Sequence, residues 1–195
     1  MTPSRPSGFP VSGVPAASFR EFLWESGLAG HSNGVVDTDA FFDRLNPQMC
    51  LVTAAVGDER AGCLVGFSAQ CSIRPLRYVV FLSKANRTYR VARDADRLAV
   101  HLLTRDQHEL AALFGGETGD EVDKFARARW RRGHGGAVVL EDAAAWFVGA
   151  VRTRVDGGDH VGFVLEPERS GQRGDDRPPL RLRDSLDIDP GHPAD

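Results

Sequence analysis

Residues 49–72 read MCLVTAAVGDERAGCLVGFSAQCS. Met49 to Ala55 is rich in apolar and β-branched residues, Gly57-Asp58-Glu59-Arg60 makes a polar turn, and Gly62 to Phe67 is apolar again, so the stretch predicts a β-hairpin. Its far end changes character. Gly66-Phe67-Ser68-Ala69-Gln70-Cys71-Ser72 mixes hydroxyl, amide and thiol groups with little bulk, which lets a backbone approach a flat ligand and offers hydrogen bonds to that ligand's polar edge. A polar strand end with satisfied hydroxyls explains the same segment equally well.

Upstream, Thr38 can cap a short helix that places Phe41, Phe42 and Leu45 inward and stops at Asn46 before Pro47. Residues 1–37 hold several prolines, many Ser and Gly, and one short apolar cluster, Phe19-Phe22-Leu23-Trp24, at helical spacing. They read as an N-terminal arm. Downstream, Pro75 breaks the chain before a strand over Tyr78–Leu82, and Asn86 or Thr88 caps a helix through Tyr89, Val91 and Ala92. Arg97–Leu103 is the next strand. Thr104-x-x-Gln107 is a capping box, and the helix it opens ends at Gly115-Gly116. Ala144–Val155 alternates, with Phe147, Val151 and Val155 on one face and Arg152 and Arg154 on the other; Asp156-Gly157-Gly158-Asp159 reverses it into His160–Glu166. Residues 168–195 are rich in Arg, Asp, Pro and Gly and predict a loose C-terminal tail.

About six strands with helices only as connectors predict a mainly β fold, closed most economically as an antiparallel barrel over residues 38–167. The absence of βαβ units and of Gly-x-Gly-x-x-Gly argues against a doubly wound nucleotide fold.

Composition bounds the function. A chain of 195 residues with 42% hydrophobic and 26% charged residues suits one soluble globular domain with one site. A formal net charge of -3 argues against a nucleic-acid partner. No apolar run approaches the ~20 residues that span a bilayer, and the odd cysteine set Cys50, Cys63 and Cys71 suggests reduced thiols, so a cytoplasmic location is expected. The histidines show no H-x-x-x-H pairing, and no metal site is expected. Gly66-Phe67-Ser68-Ala69-Gln70 lacks the final glycine of a nucleophile elbow, which disfavours a serine hydrolase.

Two further segments could carry chemistry. Ser83-Lys84-Ala85-Asn86-Arg87-Thr88 lies between a strand and a helix and combines hydroxyls, a lysine and an arginine where a phosphate could be held; an ordinary cap with solvated cations is the plainer reading. Gly157-Gly158-Asp159-His160 is a hairpin tip followed by a histidine, which is more often structural than functional. Asp123-Lys124-Phe125 reads most simply as a solvated charge pair on a helix. Lysine occurs only at Lys84 and Lys124, which makes both conspicuous.

Taken in order, Leu51-Val52-Thr53-Ala54, Gly66 to Ser72, the Pro75 turn, Ser83-Lys84 with Arg87-Thr88, Leu113-Phe114, Asp123-Lys124-Phe125, Trp130-Arg131, Gly135-Gly136 before Leu140-Glu141, and Gly158-Asp159-His160 resemble the flavin reductase family. The resemblance implies a six-stranded antiparallel split β-barrel, the FMN-binding split barrel, and hydride transfer from NAD(P)H to flavin. It implies FMN, or FAD, as the flavin, contacted by Gly66, Phe67, Ser68, Gln70, Cys71, Leu82, Ser83 and Lys84, with Arg87 and Thr88 at the phosphate. His160, with Asp159, would orient the nicotinamide. A homodimer and a monooxygenase partner in a two-component system are implied as well. A flavin-binding protein without turnover, or a barrel using a deazaflavin or haem, are the alternatives.

Overall fold

The computed structural model describes residues 38–174 and 176–191; the expected N-terminal arm and its Phe19–Trp24 helix lie outside the described residues. The main sheet has seven strands in the order β2-β1-β5-β8-β9-β4-β3. They are β1 (Cys50–Val56), β2 (Glu59–Val65), β3 (Ser68–Ser72), β4 (Arg77–Ser83), β5 (Arg97–Leu102), β8 (Ala145–Asp156) and β9 (His160–Gln172). Every neighbouring pair is antiparallel. β2 comes against β4, so the sheet curls nearly to closure as a split barrel. A separate hairpin, β6 (Trp130–Arg132) with β7 (Val138–Leu140), lies outside it.

All six expected strands are present, and the polar stretch after the first hairpin is itself a strand, β3, on the edge of the sheet. Polar composition hides an edge strand because its free side faces water and needs no apolar alternation.

β1 is apolar but for the buried Thr53, because both its faces are buried. Cys50, Val52 and Ala54 join Val100, Phe163 and Leu165 in the barrel interior, while Met49 and Leu51 face a second core with Phe114, Leu140 and Leu180. Alternate side chains of one strand thus feed two cores. The helix α2 (Arg87–Ala92) follows β4 and plugs one barrel end with Val91 and Ala92, and α3 (His108–Gly116) packs Ala111, Leu113 and Phe114 on the outer core. Burial raises the thiols of Cys50, to about 12, and of Cys63, so both behave as small apolar groups.

Two buried polar side chains join the hairpin to the barrel: Thr53 Oγ1 on β1 donates to the Val138 carbonyl at 2.6 Å, and His101 makes the second link. His101, on β5, is fully buried; its Nδ1 lies 3.1 Å from the Leu51 carbonyl, and the Leu140 N–H donates to its Nε2 at 3.0 Å. A carbonyl can only accept and an N–H can only donate, so Nδ1 carries the proton and Nε2 the lone pair. Burial pushes this imidazole down to about 4.

Four expectations require correction. The helix α1 (Asp39–Phe42) is one turn long, and Phe41, Phe42 and Leu45 are exposed at 64%, 54% and 42%. Arg183 Nη2 donates to the Asp43 carbonyl at 2.8 Å, so the turn rides on the C-terminal segment rather than on the core. That segment is not a loose tail. β9 continues to Gln172, Leu180 is fully buried between the Met49 N–H and the Leu103 carbonyl (3.0 and 2.9 Å), and Ile188 joins the outer core.

In β8 the alternation fails past Val151, where a bulge at Arg152 shifts the register between Val151 and Thr153. A bulge inserts a residue and flips the following side chains to the other face. Arg154 therefore lies over the Phe163 ring at 5.6 Å, and Val155 is 47% exposed. Lys124, finally, is buried rather than solvated, as described below.

Candidate active site

Several parts of the chain converge on one cleft. The end of β2 through Gly66 and Phe67, the end of β4 at Phe81–Ser83, the entry of α2 at Ala85–Arg87, and His160 at the start of β9 all line it. The loop after α3, at Glu117–Gly119, and Lys124 complete the wall. The enclosed cavity is about 60 Å³, so the cleft is open rather than a closed pocket.

Register explains the convergence. Ser83 pairs with His160 and Ser68 with Val80, which brings the β8–β9 hairpin and β3 to the two sides of β4. The hairpin tip is tied down from below: Lys84 N–H donates to the Asp159 carbonyl at 2.9 Å, and Lys84 Nζ bonds both carboxylate oxygens of Asp156 at 3.0 and 3.1 Å. Gly158 takes φ 108°, a left-handed conformation that favours glycine, and its N–H donates to Asp156 Oδ1. This reversal sets His160 against Phe67, ring centroids 5.3 Å apart in an edge-on arrangement, with Nδ1 2.9 Å from Asp159 Oδ1. Asp159 therefore holds the ring and leaves Nε2 for another partner.

Of the expected flavin contacts, Gly66, Phe67, Leu82, Ser83 and Arg87 line the cleft. Ser68, Gln70 and Cys71, on β3, do not line it: Ser68 Oγ bonds Tyr78 Oη at 3.0 Å, Gln70 Nε2 donates to the Ser72 carbonyl, and Cys71 is exposed. Lys84 is engaged with Asp156 and does not line the cleft. Thr88 does not line it either. Its side chain is buried, and its N–H is taken by Asn86 Oδ1 at 2.9 Å, the cap of α2.

Arg87 opens α2 with its guanidinium toward the cleft mouth, where Nη1 donates to the Gly119 carbonyl at 2.9 Å. The sequence reading missed the depth of Lys124. It is 5% exposed; its Nζ donates to the carbonyls of Phe114 (2.9 Å) and Gly62 (3.3 Å), and burial lowers its pKa. The available signal was its rarity, one of two lysines in an arginine-rich chain. Phe81 and the Glu117–Gly119 loop carry no such signal, because only register and the α3 exit place them.

An antiparallel split barrel with a cleft of mixed apolar and polar walls and a cation at its mouth defines a class of small-molecule binding domain. The chain belongs to the flavin reductase like domain family, whose model matches residues 42–185. It is 33% identical over 130 residues, 65% of this chain and 78% of the relative, to the FMN reductase (NADH) RutF of an Escherichia coli strain. It is 32% identical over 105 residues to HsaB, the reductase subunit of a flavin-dependent monooxygenase from Mycobacterium tuberculosis, covering 52% of this chain and 54% of HsaB. The chain spans about half the length of several curated relatives it matches. Among solved structures, the NADH:FAD oxidoreductase SgcE6 of Streptomyces globisporus superposes with a TM-score of 0.67 at 22% identity, covering 76% of this chain and 92% of that one, a likeness of fold.

Proposed function

We propose that the chain is a flavin reductase that binds FMN, or FAD, in this cleft and passes hydride to it from NAD(P)H. The observation that carries the reading is the meeting of Phe67, Leu82-Ser83, Arg87 and His160 in one cleft. The donor set fits a flavin nucleotide: apolar side chains for the tricyclic ring, a hydroxyl partway along, and a guanidinium at the far end for the phosphate. The bound flavin supplies the hydride acceptor, so no side-chain nucleophile is required. Phe67 would cover the ring and exclude water, with Leu82 backing that wall from the barrel core, Arg87 would hold the phosphate, and Ser68, Gln70 and Cys71 on β3 would offer polar contacts. His160, oriented by Asp159, positions the nicotinamide. The relatives named FMN reductase and monooxygenase reductase subunit support the activity and a monooxygenase partner.

An anaerobic titration tests it. Addition of NADH to protein loaded with FMN is expected to bleach the visible flavin band; binding without bleaching would mark a flavin carrier, and no FMN binding would end the reading. In the same assay, His160→Ala is expected to raise KM for the nicotinamide or lower kcat/KM while FMN affinity holds. Joint loss of melting temperature and flavin affinity would make His160 a pin for the hairpin.

We further propose a homodimer in which a second copy covers the open side of the cleft. The support is the apolar surface left exposed by the barrel: Phe67 at the cleft, exposed at 45%, and Ile73 and Leu76 in the turn between β3 and β4, exposed at 79% and 51%. Light scattering that returns a monomer mass for the flavin-loaded protein would remove the proposal. Among the described residues no helix is long and apolar enough to cross a membrane.

A further inference from the structure

Arg87 already has protein partners at the cleft mouth. Besides the Gly119 carbonyl, its Nη2 stands 3.4 Å from Glu59 Oε1 and its Nη1 stands 3.7 Å from Asp120 Oδ1. Asp120 is gripped from the other side by Arg90. The two carboxylates come from different elements, Glu59 from the first residue of β2 and Asp120 from the loop after α3. Both line a second cavity of about 310 Å³ that shares Asn86, Arg87, Gly119 and Lys124 with the cleft, so the two spaces meet at Arg87. The wall of this cavity carries five carboxylates against three cations.

We propose that Glu59 and Asp120 set the affinity for the flavin phosphate by competing for Arg87, so that the nucleotide exchanges as a diffusible substrate. The proposal rests on the reading of Arg87 as the phosphate ligand. A phosphate dianion at this guanidinium lies close to both carboxylates, which must swing aside and still repel it. The swap is feasible because all three side chains are partly solvent-exposed, 32% for Arg87, 57% for Glu59 and 51% for Asp120, and exposed pairs are weak. The residual repulsion acts on the phosphate alone. A flavin without phosphate does not feel it.

The full chain, titrated with FMN and with riboflavin as Asp120→Asn, Glu59→Gln, Asp120→Glu and Arg87→Ala, provides the test. At low salt each neutralised carboxylate is expected to tighten FMN by about five- to tenfold, the order expected of one charge near a partly solvated dianion. Asp120→Asn, which also frees Arg90, should gain at least as much as Glu59→Gln. Riboflavin affinity and melting temperature should hold, Asp120→Glu should behave as the unaltered chain, and FMN dissociation followed by stopped flow should slow in step with affinity. Unchanged or weaker FMN binding in folded Asp120→Asn and Glu59→Gln, with Arg87→Ala still weakening FMN selectively, would overturn the competition and leave the phosphate reading standing. Equal gains for FMN and riboflavin would also overturn it, by making the effect one of loop opening. Arg87→Ala that leaves FMN untouched would overturn both. If Asp120→Asn does not fold, Glu59→Gln decides alone.

Discussion

His101→Gln is expected to destabilise the fold by about 2–4 kcal/mol at neutral pH, because two buried backbone groups, the Leu51 carbonyl and the Leu140 N–H, lose a partner of the right reach. The imidazole spans the two cores: it sits on β5, holds β1 through one nitrogen and β7 through the other. No apolar replacement can satisfy either contact.

The same residue makes stability depend on pH. In the unfolded chain its pKa is the ordinary 6.5; in the fold burial lowers it to about 4. A second proton would have to go on Nε2, where it would face the Leu140 N–H and lose that bond. The unfolded state therefore binds a proton that the native state refuses. His101's contribution is fully present above about pH 6.5 and is lost as pH falls toward 4, by roughly 3 kcal/mol at the bottom of that window. Denaturant melts of the unaltered chain and of His101→Gln between pH 7 and 4.5 check this. The variant should start lower and fall less steeply. Parallel slopes would assign the acid sensitivity to other groups.

How far the sequence revealed this molecule differs from residue to residue. The strands β1, β2, β4, β5, β8 and β9 are apolar because their side chains enter cores, and that requirement writes a local pattern. β3 escaped because its edge position places no such demand on Ser68, Gln70 and Cys71. The bulge of β8 at Arg152 leaves no residue signature, so the alternation read from the sequence puts Arg154 and Val155 on the wrong faces. In the C-terminal segment Leu180 closes backbone bonds to both Met49 and Leu103, the first across more than a hundred residues, which composition cannot show. The cleft shows the same division. Gly66, Phe67, Leu82, Ser83, Arg87 and His160 were legible as short motifs and through the family resemblance, whereas Thr88 turned out to be buried and Lys84 to be tied to Asp156. Glu59 and Asp120 reach Arg87 only because β2 begins, and the loop after α3 turns, beside the same guanidinium.

Arg87→Ala is expected to weaken FMN by roughly 10- to 150-fold, the equivalent of losing a charge-assisted contact of about 1.5–3 kcal/mol, while riboflavin affinity barely changes. The separation between the two ligands is what identifies the contact, since they share the ring and ribityl chain and differ in the phosphate. A second effect acts in the same direction. With the guanidinium gone, Glu59 and Asp120 remain at the cleft mouth, and their charge is no longer offset toward an incoming anion. The fold should survive, because the pairs lost are partly exposed and exposed ion pairs contribute about 1 kcal/mol or less. Arg87→Lys keeps the charge but not the forked donor that reaches Gly119 and a phosphate together, so it should fall between the unaltered chain and Arg87→Ala. Fluorescence titrations of all three with both flavins, at low and at moderate salt, read the effect, and the FMN losses should shrink as salt screens the phosphate. Losses of equal size for FMN and riboflavin would instead make Arg87 a strut, holding the Gly119 loop over the cleft.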